Sequence, residues 1–222
     1  MTTRRTFIKG AAGAVAGIAF TGCSMNPAQE AQSGGRRRQV VVSGRRVKTV
    51  DVHAHCVIPE AMALMGAKYA PATLDMANDR LGVMDAQGID VEALSINPAW
   101  YRLDRERAVE VVRIQNEKLA ELCAAHPDRF VAFASLALQF PDLAVRQLED
   151  AVRKLGLRGA AIGASVAGEN FSAPKYHPVW AKAEELGVVI FIHPQGVPEL
   201  NKRLAGNGVL ENVIGNPLET TI

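Results

Sequence analysis

Strand-like and helix-like segments alternate along most of this chain, and that alternation limits the possible folds more than any other feature. Runs of β-branched and apolar residues predict five strands, at 47–55, 90–96, 129–136, 157–162 and 188–192. Apolar positions at helical spacing predict helices at 73–87, 104–125, 141–155 and 178–186. Repeated strand–helix units imply parallel strands joined by helical crossovers, so the sequence predicts an α/β fold.

Two α/β architectures fit this pattern, an open doubly wound sheet and a (β/α)₈ TIM-type barrel. The first strand is not followed by a Gly-x-Gly-x-x-Gly turn, which weakens the dinucleotide-binding version of the open sheet. Histidines at strand ends favour the barrel, because barrel active sites gather at the carboxyl ends of the strands. A barrel typically needs about 250 residues. We therefore expect an incomplete barrel here, holding about the first five β/α units of a longer one.

The amino terminus has the layout of an export signal. Arg4-Arg5 precedes Phe7-Ile8-Lys9 and a short apolar run at 10–20, which resembles the twin-arginine signal of bacteria. The stretch Phe20–Cys23 resembles a lipobox, which would make Cys23 a lipidated residue; a plain soluble export signal is the alternative. The sequence thus predicts a signal peptide at 1–22, a flexible linker at 23–46 and a barrel domain at 47–222. It also predicts export to the periplasm or cell envelope, with a lipid anchor to the membrane.

Charge is distributed unevenly between the leader and the body. Residues 1–48 hold nine Lys and Arg against one acidic residue, whereas residues 49–222 hold sixteen against twenty-two. An acidic body argues against nucleic acid as the partner. Hydrophobic residues make up 48% of the chain and charged residues 22%, the composition of a globular protein. Three scattered cysteines exclude a disulfide framework.

Three histidines at strand ends carry the chemistry of the sequence. Residues two apart in a strand point to the same face, so His53 and His55 should lie side by side. His193 ends the fifth predicted strand at an equivalent height. Three neutral imidazoles converging from two strands would hold a divalent metal and leave positions open for water or substrate. The alternative is a pair of surface histidines at a strand end.

Residues after the second strand are candidates for substrate contacts. Trp100 or Tyr101 could stack on an aromatic acid, and Arg102 could pair with its carboxylate; ordinary loop residues remain the alternative. Cys56 has the opposite parity from His55 and is predicted to pack in the helical layer.

Five motifs then follow one another in the order of a known family. They are Asp51-Val52-His53-Ala54-His55, Met84-Asp85-Ala86-Gln87-Gly88-Ile89-Asp90, His126-Pro127-Asp128-Arg129-Phe130, Leu155-Gly156-Leu157-Arg158-Gly159-Ala160 and Phe191-Ile192-His193-Pro194. The body resembles the amidohydrolase superfamily, in the branch of aminocarboxymuconate-semialdehyde decarboxylase and related aromatic-acid decarboxylases. The resemblance implies a distorted barrel with one divalent metal, zinc first and manganese second, bound by His53, His55 and His193. The family's acid–base His and its last ligand, an Asp, would fall beyond Ile222, so no catalytic residue is assigned.

The predicted function follows from that resemblance. The first hypothesis is a metal-dependent decarboxylase, or carboxy-lyase, of small aromatic or unsaturated carboxylic acids. A metal-dependent hydrolase of an amide, ester or lactone is the second. A third, of another class, is an inactive barrel fragment that at most binds metal. The expected partners are a small-molecule carboxylic acid, the membrane through the lipid anchor, and a second copy in a homodimer.

Overall fold

The computed structural model describes residues 37–66, 79–196, 198–207 and 209–221. The predicted signal peptide at 1–22, Cys23 and the linker up to residue 36 lie outside the described residues. Within those ranges no helix has the length and apolar character needed to cross a membrane.

The described chain alternates strands and helices in the predicted order. Its strands are β1 Val41–Val42, β2 Arg45–Arg46, β3 Val50–His55, β4 Val91–Ser95, β5 Phe130–Ala132, β6 Gly159–Gly163 and β7 Val189–His193. Its α-helices are α1 Pro59–Leu64, α2 Arg80–Gln87, α3 Arg105–Ala125, α4 Pro141–Arg153, α5 His177–Leu186, α6 Pro198–Leu204 and α7 Asn216–Glu219. A 3₁₀ turn covers Pro174–Tyr176 and a π-helical turn covers Glu211–Gly215.

Five parallel strands follow one another in space in the same order as in the chain. β3, β4 and β5 form one hydrogen-bonded sheet, and β6 and β7 form another. A single parallel bridge between Ala134 and Ala160 connects the two groups. Sequential parallel strands with helical crossovers confirm the predicted α/β class.

The sheet separates two apolar clusters of very different size. Most buried side chains lie between the strands and the helices that cover them, including Leu94, Leu119 and Ile162. A second, small cluster joins Ala93, Phe133 and Ala161 with the partly buried Phe191. Because neighbouring strand residues face opposite sides, Ala93 and Leu94 belong to different clusters. The small cluster lies on the face that carries the strand-end histidines.

Capping residues explain where α2 begins and where it ends. Asp79 caps α2 by accepting a hydrogen bond from the Gly82 N–H, so this helix begins at Arg80. Residues 73–78 of the predicted helix lie outside the described residues. Gly88 ends α2 with a φ of 79°, a conformation that glycine adopts without steric cost.

β5 is shorter than the predicted strand at 129–136. Phe133 still donates to the Leu94 carbonyl and Ala134 to the Gly159 carbonyl, but at Ser135 the Asn116 side chain is the hydrogen-bond partner of the backbone. Its amide donates to the Ser135 carbonyl at 3.1 Å and its carbonyl accepts from the Ser135 N–H at 2.7 Å. Periodicity cannot reveal such a side-chain contact, since the asparagine lies on α3.

Residues 37–46, the last part of the predicted linker, include a short hairpin. β1 and β2 pair antiparallel, with Val41 opposite Arg46 and Val42 opposite Arg45. The Arg37 Nε donates to Asp85 at 2.9 Å, and the Arg46 guanidinium pairs with the buried Asp90. Ion pairs with a distant segment therefore hold a stretch whose own composition is typical of a linker.

Candidate metal centre

The three predicted histidines meet at the carboxyl ends of β3 and β7. The His55 Nε2 lies 2.8 Å from the Nε2 of His53 and 3.1 Å from the Nε2 of His193. One ligand atom from each residue falls within 4.8 Å of the other two. The structure thus brings together side chains that are 138 residues apart in sequence.

Strand register explains how the imidazoles converge. His55 lies beside Ser95 of β4, and His193 lies beside Gly163 of β6, so both side chains leave the last rung of their strands. The register of β3 shifts between Asp51 and Ala54, which interrupts the regular alternation. Asp51 consequently turns its carboxylate to the backbone N–H of His53, at 2.9 Å.

Burial favours the neutral form of two of these imidazoles. His53 is exposed, whereas His55 and His193 are half-buried. Burial, together with the neighbouring His193, His53 and Arg80, lowers the pKa of His55 to about 4. Burial also lowers the pKa of His193. Neutral imidazole is the form that ligates a metal, so His55 and His193 are suited to that role at neutral pH.

The spacing of the three nitrogens fits a shared divalent ion. In a tetrahedral site, zinc–imidazole bonds of about 2.0–2.1 Å place neighbouring ligand nitrogens roughly 3.3–3.4 Å apart. The observed separations of 2.8 and 3.1 Å are shorter than this by a few tenths of an ångström, which small side-chain rotations would open. Three protein ligands also leave coordination positions for water or substrate, the arrangement of catalytic metal sites.

An arginine that the sequence did not indicate contacts the backbone of the site. Arg80, the first residue of α2, donates from Nη1 to the His55 carbonyl at 2.8 Å and from Nε to Glu92 at 2.5 Å. Neither Arg80 nor Glu92 belongs to a motif with recognisable spacing, so no sequence signal pairs them.

Cys56, next to His55, is 1% exposed, and burial raises its pKa to about 12. It packs in the helical layer as predicted.

The three residues predicted to contact the substrate differ in their exposure to solvent. Trp100 is fully buried and its indole N–H donates to the Leu136 carbonyl at 2.8 Å. Tyr101 is also buried, and its hydroxyl accepts from the Gly163 N–H at 3.1 Å; burial raises its pKa above the usual range. Both rings are committed to the core, which does not support stacking on a substrate. Arg102 is exposed, and its pairing with a carboxylate stays a prediction.

A carboxylate that the sequence did not indicate holds the loop after His193. The Glu219 side chain accepts from the backbone N–H of Gln195 at 2.6 Å and from that of Gly196. The Gln195 amide donates to the Pro98 carbonyl at 2.7 Å, which ties this loop to the one after β4. These contacts position the backbone at the mouth of the site.

A parallel α/β sheet with three imidazoles at its carboxyl edge is an arrangement typical of α/β proteins that bind a metal at the strand ends. Comparison with known families agrees with this: a profile described as Amidohydrolase matches residues 50–215. The chain belongs to the amidohydrolase family.

Individual relatives agree with that membership. A gamma-resorcylate decarboxylase from Rhizobium radiobacter is 39% identical over 163 residues, which cover 66% of this chain and 50% of the relative. The crystal structure of 2,6-dihydroxybenzoate decarboxylase from Rhizobium superposes with a TM-score of 0.62 at 35% identity, over 73% of this chain and 55% of that one. A dihydroxybenzoic acid decarboxylase from Polaromonas, solved with manganese and 2-nitroresorcinol, gives 0.61 at 30% identity over 73% and 54%. The chain spans about half the length of these relatives.

Proposed function

We propose that this chain forms the metal-binding part of a metal-dependent decarboxylase, a carboxy-lyase of small aromatic carboxylic acids. The observation that carries the proposal is the convergence of the His53, His55 and His193 nitrogens on one point. The relatives support the choice of reaction, because they are named as decarboxylases of hydroxylated benzoic acids.

The ion held by the three imidazoles is a divalent metal. It would act as a Lewis acid that polarises an oxygen of the bound substrate. Imidazole is a suitable ligand for zinc and for several other divalent transition metals. Manganese is the first choice to test, since the Polaromonas relative was solved with it, and zinc is the second.

The surroundings of the imidazoles suit an aromatic acid. Phe191 lies edge-on to His53, with ring centroids 5.3 Å apart, and stacks on Phe133 at 5.8 Å. These rings give the site an apolar wall, which limits water and offers a face to a benzoate ring. Arg102, exposed in the loop after β4, is a cation available for the substrate carboxylate.

Metal content and product analysis test the proposal. The purified chain, depleted of metal and titrated with Mn²⁺ or Zn²⁺, should bind close to one ion. His55→Ala and His193→Ala should abolish that binding, whereas the matched control His126→Ala should not, because His126 is exposed at the end of α3. The protein that contains this chain should release carbon dioxide from 2,6-dihydroxybenzoate. Metal binding that survives His55→Ala, or ester and lactone opening without carbon dioxide release, would contradict the proposal.

For location we propose export by the twin-arginine route with a lipid on Cys23. The arginine pair and the lipobox-like stretch support this proposal. Mass spectrometry of the amino-terminal peptide from membranes should find a diacylglyceryl group on Cys23, and Cys23→Ser should move the protein to the soluble fraction. An unmodified Cys23 in the mature protein would exclude the anchor.

A further inference from the structure

Arg80 and Glu92 form an ion pair beneath the metal centre that the ligand set does not account for. The Arg80 side chain is 12% exposed and that of Glu92 is 9% exposed. Taking two charges out of water is expensive, and a buried pair is often no more stabilising than apolar residues of the same size. Stability alone therefore does not explain why the pair lies at this place.

The second contact of the guanidinium reaches the backbone of the metal centre. Nε of Arg80 donates to Glu92 on β4, while Nη1 donates to the carbonyl of His55. His55 is the last residue of β3, so its carbonyl lies where the strand ladder ends. The arginine thus connects the final rung of β3 to a fixed point on the neighbouring strand.

His55 is the middle member of the three imidazoles. Its Nε2 lies within 3.1 Å of each of the other two imidazole nitrogens. A displacement of the His55 backbone would therefore change both of these short separations at once. Holding the His55 backbone keeps both of them in place.

We propose that Arg80, fixed by Glu92, is a positioning residue that keeps His55 in place for metal binding. This inference rests on the proposed function, because it presupposes that the three imidazoles hold an ion. Arginine suits the task since its planar fork presents several N–H groups in fixed directions and satisfies two acceptors together. A lysine has a single nitrogen for both acceptors, so it would have to reach the carbonyl and the carboxylate from one point.

Cobalt binding to variants of the chain separates positioning from simple structural support. The metal-free protein is titrated with Co²⁺, and the dissociation constant and the visible absorption spectrum of the bound ion are measured. Arg80→Met should weaken binding about 10- to 100-fold, the usual effect of removing a group that orients a metal ligand. Arg80→Lys should fall between this variant and the unaltered chain. Arg105→Met is the matched control, because Arg105 forms an exposed ion pair with Asp142.

A double variant distinguishes loss of positioning from a general loss of stability. Arg80→Met alone leaves Glu92 buried without its partner, so it should also lower the free energy of unfolding. Arg80→Met with Glu92→Leu removes both charges and should regain most of that stability. If Arg80 positions His55, cobalt binding in the double variant stays weak and its spectrum stays altered, because the His55 carbonyl is still unanchored.

Two results would overturn the inference, and they can be told apart. If Arg80→Met or the double variant binds cobalt within twofold of the unaltered chain and with the same spectrum, positioning is wrong while the metal centre stands. If His55→Ala leaves cobalt binding unchanged, the metal centre itself is wrong and the inference is lost with it.

Discussion

Trp100 and Arg102 are two positions apart, yet the fold gives them opposite environments. Trp100 has no exposed surface and donates its indole N–H to a backbone carbonyl, whereas Arg102 extends into solvent. A buried indole needs a partner for its N–H, and Leu136 supplies one. Residue type suggested a substrate contact for both, stacking for Trp100 and charge pairing for Arg102, and burial separates the two.

Trp100→Phe tests the assignment of this side chain to the core. The change leaves the Leu136 carbonyl without its donor and creates a small cavity, so we expect the free energy of unfolding to fall by about 2 kcal/mol. Chemical denaturation of the metal-free chain measures this loss, and metal affinity should stay the same. An unaltered stability combined with a weaker affinity for a benzoate would instead restore the substrate-stacking role.

Among the elements, the pairing of β6 with β7 places His193. Five consecutive residue pairs align the two strands, from Gly159 with Val189 to Gly163 with His193. The first pair depends on glycine. Gly159 has a φ of 142°, and a Cβ there would lie 1.9 Å from the Val189 carbonyl oxygen. Any side chain at residue 159 must push the two strands apart.

Gly159→Ala should therefore destabilise the protein and weaken the metal centre together. We expect a loss of about 3 kcal/mol from backbone strain and overpacking. Gly156→Ala is the matched control, since Gly156 also has a positive φ, 71°, but open space around its Cβ position. Its cost should be about 1 kcal/mol, with metal affinity unchanged. Equal effects of the two substitutions on thermal unfolding and on metal affinity would disprove this reading of the strand pair.

Asp90, the residue immediately before β4, holds the β1–β2 hairpin. Its carboxylate accepts from the Thr49 N–H at 2.8 Å and pairs with Arg46. These contacts hold the pKa of Asp90 below its usual range, with the Thr49 hydrogen bond as the main cause. A lowered pKa means that the folded state prefers the ionised carboxylate, so its contribution is present at neutral pH and is lost on acidification.

Asp90→Asn should make the free energy of unfolding depend less on pH in the acid range. In the unaltered chain part of the stability disappears as the pH falls from about 5 to below 4. The variant should be less stable by about 1–2 kcal/mol at pH 7, and the difference should shrink at low pH. Urea unfolding at several pH values measures this, with Asp128→Asn, an exposed carboxylate, as the control. A constant difference across the pH range would show that Asp90 does not act through its charge.

For the molecule as a whole, curvature of the sheet makes the site. β3 and β7 are the first and last of the five parallel strands and do not pair with each other. Their histidine nitrogens nevertheless lie 3.1 Å apart. The sheet must therefore curl until its outer strands face each other, as in a barrel, with Phe133 and Phe191 packed in the concave face.

An ion bound between the two outer strands should stabilise the whole fold. A ligand that binds only the folded state at 100 times its dissociation constant adds about 2.7 kcal/mol, which corresponds to a rise in Tm of roughly 5–10 °C for a chain of this size. Calorimetry with Mn²⁺, with and without chelator, measures the shift. His193→Ala should remove it, because the variant no longer joins β7 to β3 through the ion. An equal shift in that variant would mean that the metal binds elsewhere.

The sequence by itself determined the order of strands and helices, several of their ends and the three candidate ligands. These features are local: the alternation of a strand, the glycine after a helix, and two histidines on one strand face are all set by neighbours in the chain. It could not determine that Asn116 bonds the Ser135 backbone after β5, that Asp90 holds the preceding hairpin, that Trp100 is buried or that Arg80 reaches the His55 carbonyl. Each of those contacts joins segments far apart in sequence. Only the packed and curved sheet brings them within hydrogen-bond distance, because a side chain's partners depend on the three-dimensional path of the whole backbone.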